Sequence, residues 1–494
     1  MIDEDRTVPP RRLIPNVVML LAGQLLSKGT TLIALFLLGH YLGDAPYGRW
    51  SVALAIPLSL DALGDLGLSI VLIRKGAGRP GVVRGLVADM LPVKLLLAGL
   101  LVAGTYGASA ALGLSAEVAE VALFLGVAKA LDSLTWFARS VFEASERMEY
   151  EAVSLVLDAV VRLGFVIYAL AGGFGLVGIA KAYVLASAIV VVATWLIAGR
   201  RFLTGLRPRF APRASLALVG LGLPLALVWF FEGLALRVDT ILLGGALGDA
   251  AAGRFSAAAR LVEPLLIVPL VMGMAMLPLV SRHLLEGRDT PSRLFRSGLH
   301  LGMVVAYAEL LVLVGLAERI LGTVFGPDFI EAAPVLRVLA FALIPLSARA
   351  ILVNALTAHG SQHRLLLAQV AGNVVNVALA LAVLRAFGEI GVAIAVFAGE
   401  IVTVAVAIAH LRGIVRVDLG DAARTLAAGA PAIAVLLVLE RWLDPVVATG
   451  AALLALAAAV RALGVVNPEE RAYFETVAPR FRGAVAMLLG PARP

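Results

Sequence analysis

The decapeptide LGDAPYGRWS occupies residues 42–51, and the closely similar LGDAAAGRFS occupies residues 247–256, with seven of ten positions identical. The two copies lie 205 residues apart, and each begins at the end of a long apolar run. The phrase contains no Cys, no His and no pair of residues typical of catalysis. Its position is therefore more informative than its chemistry, and it predicts a chain built from two related halves.

Composition assigns the chain to a membrane. Of the 494 residues, 61% are hydrophobic and only 15% are charged, which is outside the range of globular proteins. Apolar runs of 20 or more residues recur along the chain, and each can cross the hydrocarbon core as a helix. The runs are continuous rather than alternating, which favours helices over a barrel. The net charge of +7 is distributed between the runs rather than on one basic face, which argues against nucleic-acid binding.

Fourteen membrane spans are predicted. They cover residues 16–39, 47–72, 86–113, 117–141, 150–171, 175–198, 214–238, 253–280, 296–316, 332–358, 364–387, 390–412, 421–441 and 446–464. The loops on one side hold 27 of the 41 Lys and Arg residues, and the opposite loops hold five. The positive-inside rule therefore predicts that both termini are cytoplasmic. The largest outer connections are expected near residues 40–49, 239–252 and 317–331, and none of them is long enough to form a domain.

The repeated phrase joins spans one and two in its first copy and spans seven and eight in its second. Six spans separate the copies, so both halves enter the membrane in the same direction, as in transporters with parallel repeats. FGLVGIA at residues 174–180 and FGEIGVA at 387–393 form a second, weaker repeat. The expected architecture is all-α: a six-helix lobe at 1–205, a second at 206–415, and two additional helices with a cytoplasmic tail at 416–494.

The phrase itself predicts a tight turn. Gly43 and Gly248 are expected to end one helix in a left-handed C-cap, and Asp44 and Asp249 to N-cap the next. The aromatic residues that follow, Trp50 and Phe255, are expected at the membrane interface. An additional role for the phrase as an outer gate is the alternative.

The stretch from Tyr41 to Ser51, with Asp61, DLGLS at 65–69 and Arg74, resembles the start of the bacterial polysaccharide transporter family. This family contains flippase-like proteins for O-antigen and other lipid-linked oligosaccharides within the multidrug/oligosaccharidyl-lipid/polysaccharide exporter superfamily. Similar segments follow in order along the chain: LPLVSR at 277–282, FGPDF at 325–329, APVL at 333–336, Asn373 with Asn376, and FGEIGVA at 387–393.

The resemblance implies two six-helix lobes around a cavity that opens alternately to each side of the membrane and is lined by spans one, two, seven and eight. It implies that the protein moves a polyprenyl-pyrophosphate-linked oligosaccharide from the cytoplasmic to the outer leaflet of the cell's inner membrane. No cofactor is expected, and the protein is expected to act as a monomer. In the lipid II flippase branch an additional pair of helices forms a groove for the lipid tail, and whether spans thirteen and fourteen do so here stays open.

Charged residues within the spans are candidate functional groups, because a charge in the bilayer centre is costly. Lys28 lies at the centre of the first span with no acidic residue within four positions. We expect Lys28 and Arg260, with Arg237 nearer the outer side, to bind the pyrophosphate of the lipid-linked substrate. Relatives place basic residues on the first and eighth spans, which carry Lys28 and Arg260. The alternative is that Lys28 extends to the interface or pairs with Asp61.

Other intramembrane charges have more ordinary explanations. Three pairs at helical spacing share a helix face and can form ion pairs: Lys129 with Asp132, Arg260 with Glu263, and Asp158 with Arg162. Structural neutralisation is the preferred interpretation for the first and third of these pairs. Four acids are candidates for proton or sodium coupling: Asp61, Glu232, Glu309 and Glu400. Interhelical hydrogen bonding is the alternative role, as for Asn354, Asn373 and Asn376. The chain has no Cys and its six His are scattered, so neither a catalytic thiol nor a metal site is predicted.

Three competing functions remain at this stage. A cation-coupled multidrug exporter of the same superfamily would favour acidic residues rather than Lys28 in the first span. A membrane-embedded enzyme of glycan assembly would need a larger outer loop and a convergent catalytic group. A scaffold without transport activity would have no evident use for a two-lobed repeat. The flippase is therefore the preferred interpretation.

Overall fold

The computed structural model describes residues 10–267, 269–270, 290–358, 362–411 and 419–465, and all regular structure within these ranges is helical. The chain divides into two compact units, Met1–Gly253 and Arg254–Pro494. The first unit holds α1 (Pro10–Leu42), α2 (Asp44–Ser59), α3 (Leu68–Gly76), α4 (Pro80–Ala111), α5 (Ala116–Ala144), α6 (Met148–Ala171), α7 (Gly175–Arg201), α8 (Pro212–Ala235) and α9 (Val238–Leu247). Helix α10 (Asp249–Val262) contains the boundary between the units.

The second unit continues with α11 (Thr290–Gly315), α12 (Ala317–Val324), α13 (Ala333–Phe341), α14 (Leu343–Ala358), α15 (Gln362–Leu411), α16 (Leu419–Leu439) and α17 (Pro445–Ala462). Helix α15 has non-helical backbone angles at Gly388 and is therefore two successive helices. Three short 3-10 segments complete the structure, at Asp61–Gly64, Glu263–Leu266 and Pro327–Ala332.

Nine helical segments in the described ranges are long and apolar enough to cross a membrane, and two shorter apolar helices accompany them. The chain is a multi-pass membrane protein, as its composition predicts. Each of the fourteen predicted spans contains helix over the part that the structure describes, and several are interrupted by turns or 3-10 segments. The number of crossings and the side on which the termini lie stay predictions, as does the division at residues 205 and 415. The LPLVSR motif at 277–282 and the side chain of Asn354 lie outside what the structure describes.

The connections expected to be the longest are helical instead. Only Gly43 separates α1 from α2, and only Gly248 separates α9 from α10. Both glycines combine positive φ with extended ψ, at φ 77° and ψ 177° for Gly43 and φ 92° and ψ 178° for Gly248. This region is open essentially to glycine alone, and it differs from the left-handed C-cap that was predicted. Gly43, rather than Asp44, is the N-cap of α2.

Trp50 and Phe255, which are expected at the depth of the membrane interface, are both buried in protein. Trp50 has no exposed surface, and its ring lies 5.2 Å from the ring of Tyr183 on α7. Phe255 is 4% exposed. Protein therefore covers both rings, and their depth in the membrane stays a prediction.

The core of the first unit centres on α5, which packs against α7, α4, α2 and α3. Phe137 and Phe142 on α5 are fully buried, and Phe142 contacts the rings of Tyr150 and Phe202. Buried apolar residues of α3 and α4, such as Leu72 and Met90, belong to the same cluster, which joins these helices to α5. Membrane helices lack a strong hydrophobic drive to associate, so such packing contacts carry much of the stability.

In the second unit, small residues allow the helices to approach closely. A Cβ added to Gly372 would lie 1.8 Å from Thr403 Oγ1 and 2.6 Å from the Gly399 carbonyl oxygen, so the two halves of α15 touch backbone to backbone. Helices α16 and α17 dock on α11 in the same way. Gly429 faces the ring of Tyr307, whose hydroxyl donates a hydrogen bond of 3.1 Å to the Leu426 carbonyl.

Candidate functional site

The second predicted span is broken in the middle. Helix α2 ends at Ser59, the 3-10 turn Asp61–Gly64 follows, and α3 begins at Leu68. Leu66 and Gly67 have φ angles of 44° and 76°, which no regular helix contains. Pro57 weakens the preceding turn, because it lacks an N–H and displaces a carbonyl. Apolar residues around the break conceal it from hydropathy, so the sequence predicts one continuous span at 47–72.

Buried hydrogen bonds hold this break in place. Lys94 on α4 has no exposed surface; its Nζ contacts Asp65 and donates a bond of 2.8 Å to Ser133 Oγ. The Ser133 hydroxyl in turn donates to the carbonyl oxygen of Gly64 at 2.9 Å. Asp65 also accepts hydrogen bonds from the hydroxyl and the backbone N–H of Ser69 at 2.6 and 3.2 Å. The motif DLGLS is thus a turn in which Asp65 and Ser69 start α3.

Helix α8 closes against the break through a contact between two glycines. A Cβ on Gly67 would lie 2.5 Å from the Gly222 carbonyl oxygen, and a Cβ on Gly222 would lie 2.5 Å from the Leu66 carbonyl oxygen. Further along α8, Gly233 faces the Leu58 carbonyl at 3.4 Å. The close approach places the C-terminal half of α8 beside the unwound segment.

A second set of ion pairs continues from the break into α5 and α6. Lys129 Nζ lies 3.0 Å from Asp61 Oδ2, so the predicted pairing of Lys129 with Asp132 is wrong. Asp132 accepts instead from Arg162 at 2.8 Å and from Ser187 at 2.7 Å. Helical spacing would allow Lys129 to pair with Asp132, but each of the two residues forms its ion pair with a residue of another segment instead. The break at residue 61 is what brings its carboxylate to Lys129.

Arg162 and Arg139 share a carboxylate. Arg162 donates to Asp158 with distances of 2.8 and 3.1 Å, which confirms the predicted pair. Arg139 approaches the other oxygen of Asp158 at 3.3 Å and donates to the side chain and the carbonyl of Ser154 at 2.9 and 3.0 Å. A buried guanidinium held by several acceptors is fixed in position, because moving it would leave N–H groups without partners.

These residues surround a cavity of about 440 Å³ within the first unit. Its walls are Leu58, Asp61, Ala62, Asp65, Lys129, Asp132, Ser133, Thr135, Trp136, Arg139, Asp158, Trp229 and Gly233. The wall carries four acidic and two basic residues. Two further basic residues that do not line the cavity, Lys94 and Arg162, form ion pairs with acids of the wall. The eight groups therefore sum to a net charge of zero. The volume of the cavity and the polar residues in its wall are typical of a site that binds a small molecule.

The residues expected to bind pyrophosphate lie in different surroundings. Lys28 lies in α1 with an exposed side chain, and it makes no ion pair or hydrogen bond with the residues that the structure describes. The predicted alternative partner, Asp61, is engaged by Lys129. Arg237 is half-buried at the break between α8 and α9 and donates to the neighbouring Leu236 carbonyl at 3.1 Å. Arg260, in the second unit, pairs with Glu263 at 3.0 Å, a pairing that the helical spacing allows.

The candidate coupling acids are likewise dispersed. Asp61 lies in the cavity wall, and half-buried Glu232 lies on α8 of the same unit. Glu400 in the second unit forms an ion pair of 2.9 Å with Arg349. Glu309 on α11 has a buried Oε2 that accepts no hydrogen bond from a described residue. Within the described ranges no group of three or more His, Asp and Glu residues is arranged to hold a metal ion.

Sequence reasoning missed Lys94 and the two tryptophans of the cavity. Lys94 lies in the middle of the apolar span at 86–113, and that position alone is a signal, since an isolated charge inside a span needs a partner. No sequence pattern singles out Trp136 and Trp229, which line the same cavity from α5 and α8 only once the chain has folded.

Known structures share this fold over most of the chain. A lipid II flippase MurJ in an inward closed conformation matches with a TM-score of 0.74 at 13% identity, covering 89% of this chain and 98% of its own. A multidrug resistance MATE family transporter of the MOP superfamily matches in its inward-facing conformation with a TM-score of 0.66 at 18% identity, covering 80% and 97%. An outward-facing conformation of a MATE transporter matches with 0.55 at 18% identity, covering 80% and 94%. The fold is that of the MOP-superfamily transporters.

Sequence families give the assignment within that class. The family of polysaccharide biosynthesis proteins matches residues 13–284, which is more than half of the 494 residues. The chain belongs to this family, as the sequence motifs predict. The lipid II flippase MurJ family matches residues 246–460. No curated protein sequence matches the chain.

Proposed function

We propose that this transporter is a flippase for a polyprenyl-pyrophosphate-linked oligosaccharide and serves surface polysaccharide synthesis. It moves the glycan from the cytoplasmic to the outer leaflet by alternating access. Lys28 carries this proposal, because it is an exposed cation in the first membrane helix with no ion-pair partner among the described residues. A cation at that depth is costly unless an anion or water accompanies it. Pyrophosphate supplies such an anion, whereas a cationic drug would be repelled.

In this proposal Lys28 acts as a point charge on the pyrophosphate, while Arg260 and Arg237 contribute planar donor groups. The polyprenyl tail stays in the bilayer while the glycan passes through the protein. Fourteen spans with both termini cytoplasmic belong to the same proposal, as do the inner membrane as its location and a monomer as the active form. The chain has no cysteine, so single Cys residues introduced into successive loops report their side of the membrane by labelling with an impermeant maleimide.

A flipping assay tests the proposal. Purified protein is reconstituted into vesicles with a fluorescent polyprenyl-pyrophosphate oligosaccharide, and a membrane-impermeant lectin reports which leaflet displays the glycan. We expect Lys28→Ala to reduce the flipping rate about tenfold or more, as expected for loss of a charge-assisted contact. Lys75→Ala, which removes an exposed lysine at the end of α3, is the matched control and should flip at the wild-type rate. Equal rates for Lys28→Ala and wild type contradict the proposal.

The multidrug exporter is tested in the same vesicles with a cationic dye. Two results together would favour the exporter. The vesicles take up the dye equally well with wild type and with Lys28→Ala, and neither protein flips the lipid-linked glycan. Coupling is tested by imposing proton or sodium gradients on wild type and on Asp61→Asn, Glu232→Gln, Glu309→Gln and Glu400→Gln. A coupling acid is identified when its amide variant still flips but no longer responds to the gradient.

A further inference from the structure

The charged cavity of the first unit contains two tryptophans that the ion pairs do not explain. Trp136 and Trp229 line it from α5 and α8, and their residues retain 38% and 37% of their accessible surface. In contrast, Trp50 is fully buried, and Trp195 is held by a hydrogen bond from its indole N–H to the Leu134 carbonyl at 3.1 Å. Indole surface left open inside a polar cavity of a membrane protein is available to a ligand.

The charges of the wall select the kind of ligand. An anion such as pyrophosphate would lie among the four acids of the wall, whereas a cation would face Lys129 and Arg139. Every one of these charged groups already has a partner within 4 Å, and the network as a whole is neutral. A charged ligand would have to compete with an ion pair that is already formed, and leaving one of its partners uncompensated is costly. A neutral ligand with many hydroxyl groups would not.

The paired groups still offer hydrogen bonds to such a ligand. Each carboxylate has several lone-pair positions, and its ion pair uses only some of them. The carboxylate of Asp61 remains 46% exposed and the side chain of Lys129 23% exposed in their ion pair. Hydroxyl groups can donate to the first and accept from the second, while the apolar face of a ring lies against an indole.

We propose that this cavity binds one neutral sugar unit of the transported glycan, with Trp136 and Trp229 as its apolar walls and the Asp61–Lys129 pair as its polar contact. At about 440 Å³ the cavity is in the lower part of the size range of ligand sites, and it accommodates a sugar unit rather than a whole oligosaccharide. The inference rests on the proposed flippase function and adds a site that selects the glycan, separate from the cations that attract pyrophosphate.

Binding of simple sugars to the full-length protein tests the site. Saturation-transfer difference NMR in detergent detects weak ligands, and the probes are the methyl glycosides of glucose, galactose and N-acetylglucosamine at millimolar concentration. We expect saturable transfer to at least one glycoside. Trp136→Ala and Trp229→Ala should each weaken it about tenfold, the scale of one lost aromatic contact. Trp136→Phe should retain most of it, because it keeps an aromatic ring.

Two controls separate a local effect from misfolding. Trp442→Ala removes a tryptophan that is 82% exposed and lies outside the cavity, and it should bind as wild type does. Inorganic pyrophosphate and tetraphenylphosphonium are the charged competitors, and neither should displace the glycoside. Displacement by either ion, an unchanged glycoside signal in both alanine variants that elute as monodisperse protein, or no transfer to any of the three glycosides overturns the proposal.

The outcome is independent of the flipping assay. Lys28→Ala should bind the glycosides normally even though it flips the lipid-linked glycan slowly. Glycoside binding by a protein that flips no lipid-linked glycan would refute the flippase and leave the sugar site standing. Flipping that is unaffected by Trp136→Ala, in a protein that binds no glycoside, would refute only the sugar site.

Discussion

Gly48 and Gly253, which occupy the same position in the two copies of the repeated decapeptide, make reciprocal contacts in the first unit. A Cβ added to Gly48 would lie 1.7 Å from the Asp249 carbonyl oxygen, and a Cβ added to Gly253 would lie 2.1 Å from the Asp44 carbonyl oxygen. The first turns of α2 and α10 therefore cross backbone to backbone. The starts of the two copies therefore pack against each other at these glycines.

Gly48→Ala is expected to lower stability strongly. The added methyl group meets a backbone carbonyl and cannot be accommodated by a side-chain movement, so the two helix starts must separate. Overpacking of this kind costs about 1–3 kcal/mol, and a rigid backbone partner favours the upper end. The midpoint of thermal unfolding, followed by size-exclusion chromatography of the heated protein, measures the effect.

Gly99→Ala on α4 is the matched control for this substitution. No atom lies within 4 Å of its added Cβ, and alanine is the better helix former by roughly 1 kcal/mol, so the variant should be as stable as wild type or more so. If Gly48→Ala unfolds at the same temperature as Gly99→Ala, the crossing does not contribute to stability.

The arginine of each repeat copy also makes an equivalent ion pair in its own unit. Arg49 contacts Glu117 at the start of α5, and Arg254 lies 3.3 Å from Glu331, just before α13. Arg254 additionally binds Glu389, whose side chain is only 12% exposed. We expect Arg49→Ala to cost little, about 0.2–1 kcal/mol, because the side chains of its ion pairs retain 32–45% of their exposure and solvent screens the charges.

Arg254→Ala is expected to cost more than Arg49→Ala, since it leaves the Glu389 carboxylate without its guanidinium in a largely dry position. Thermal unfolding of both variants checks the order. Glu389→Gln combined with Arg254→Ala should recover part of the loss, because the uncompensated charge is gone. Equal losses for the two arginine variants would mean that Glu389 is solvated.

Hydropathy predicted the helices well because the membrane imposes one strong constraint: a spanning segment must satisfy its own backbone hydrogen bonds. Local spacing also predicted the Asp158–Arg162 pair and allows the Arg260–Glu263 pair, since residues three or four apart share a helix face. The break at residues 60–67 escaped prediction because leucine, alanine and glycine keep that segment apolar. Without the break, the pairing of Asp61 with Lys129 cannot be inferred from the sequence. The cavity that these residues line cannot be inferred either.

Lys94→Met is expected to destabilise the first unit by about 3–5 kcal/mol, because it leaves Asp65 charged and without its ammonium partner in the interior. The lysine side chain is fully buried, so solvent cannot replace it. Unfolding in mixed detergent and sodium dodecyl sulfate, followed by tryptophan fluorescence, measures the change.

The double variant Lys94→Met with Asp65→Asn provides the control. It removes both charges and should recover a large part of the stability lost in Lys94→Met, since neither group is then uncompensated. Additive losses in the double variant would show that Lys94 acts through packing alone and that the ion pair does not hold the break.

Asp444 provides a pH-dependent contact outside the membrane helices. Its carboxylate accepts hydrogen bonds from Arg319 and from the backbone N–H of Val446, and these bonds hold the pKa of Asp444 below its ordinary value. A lowered pKa in the folded protein gives stability that is present above the ordinary pKa and is lost as the pH falls through the folded value. Asp444→Ala should therefore lower the unfolding temperature at pH 7, and this loss should shrink as the pH is lowered below about 4. Asp328→Ala removes an exposed acid that makes no ion pair with described residues, and it serves as the control at both pH values. A loss in Asp444→Ala that is the same at pH 7 and at low pH would assign the effect to the helix start alone rather than to the charge.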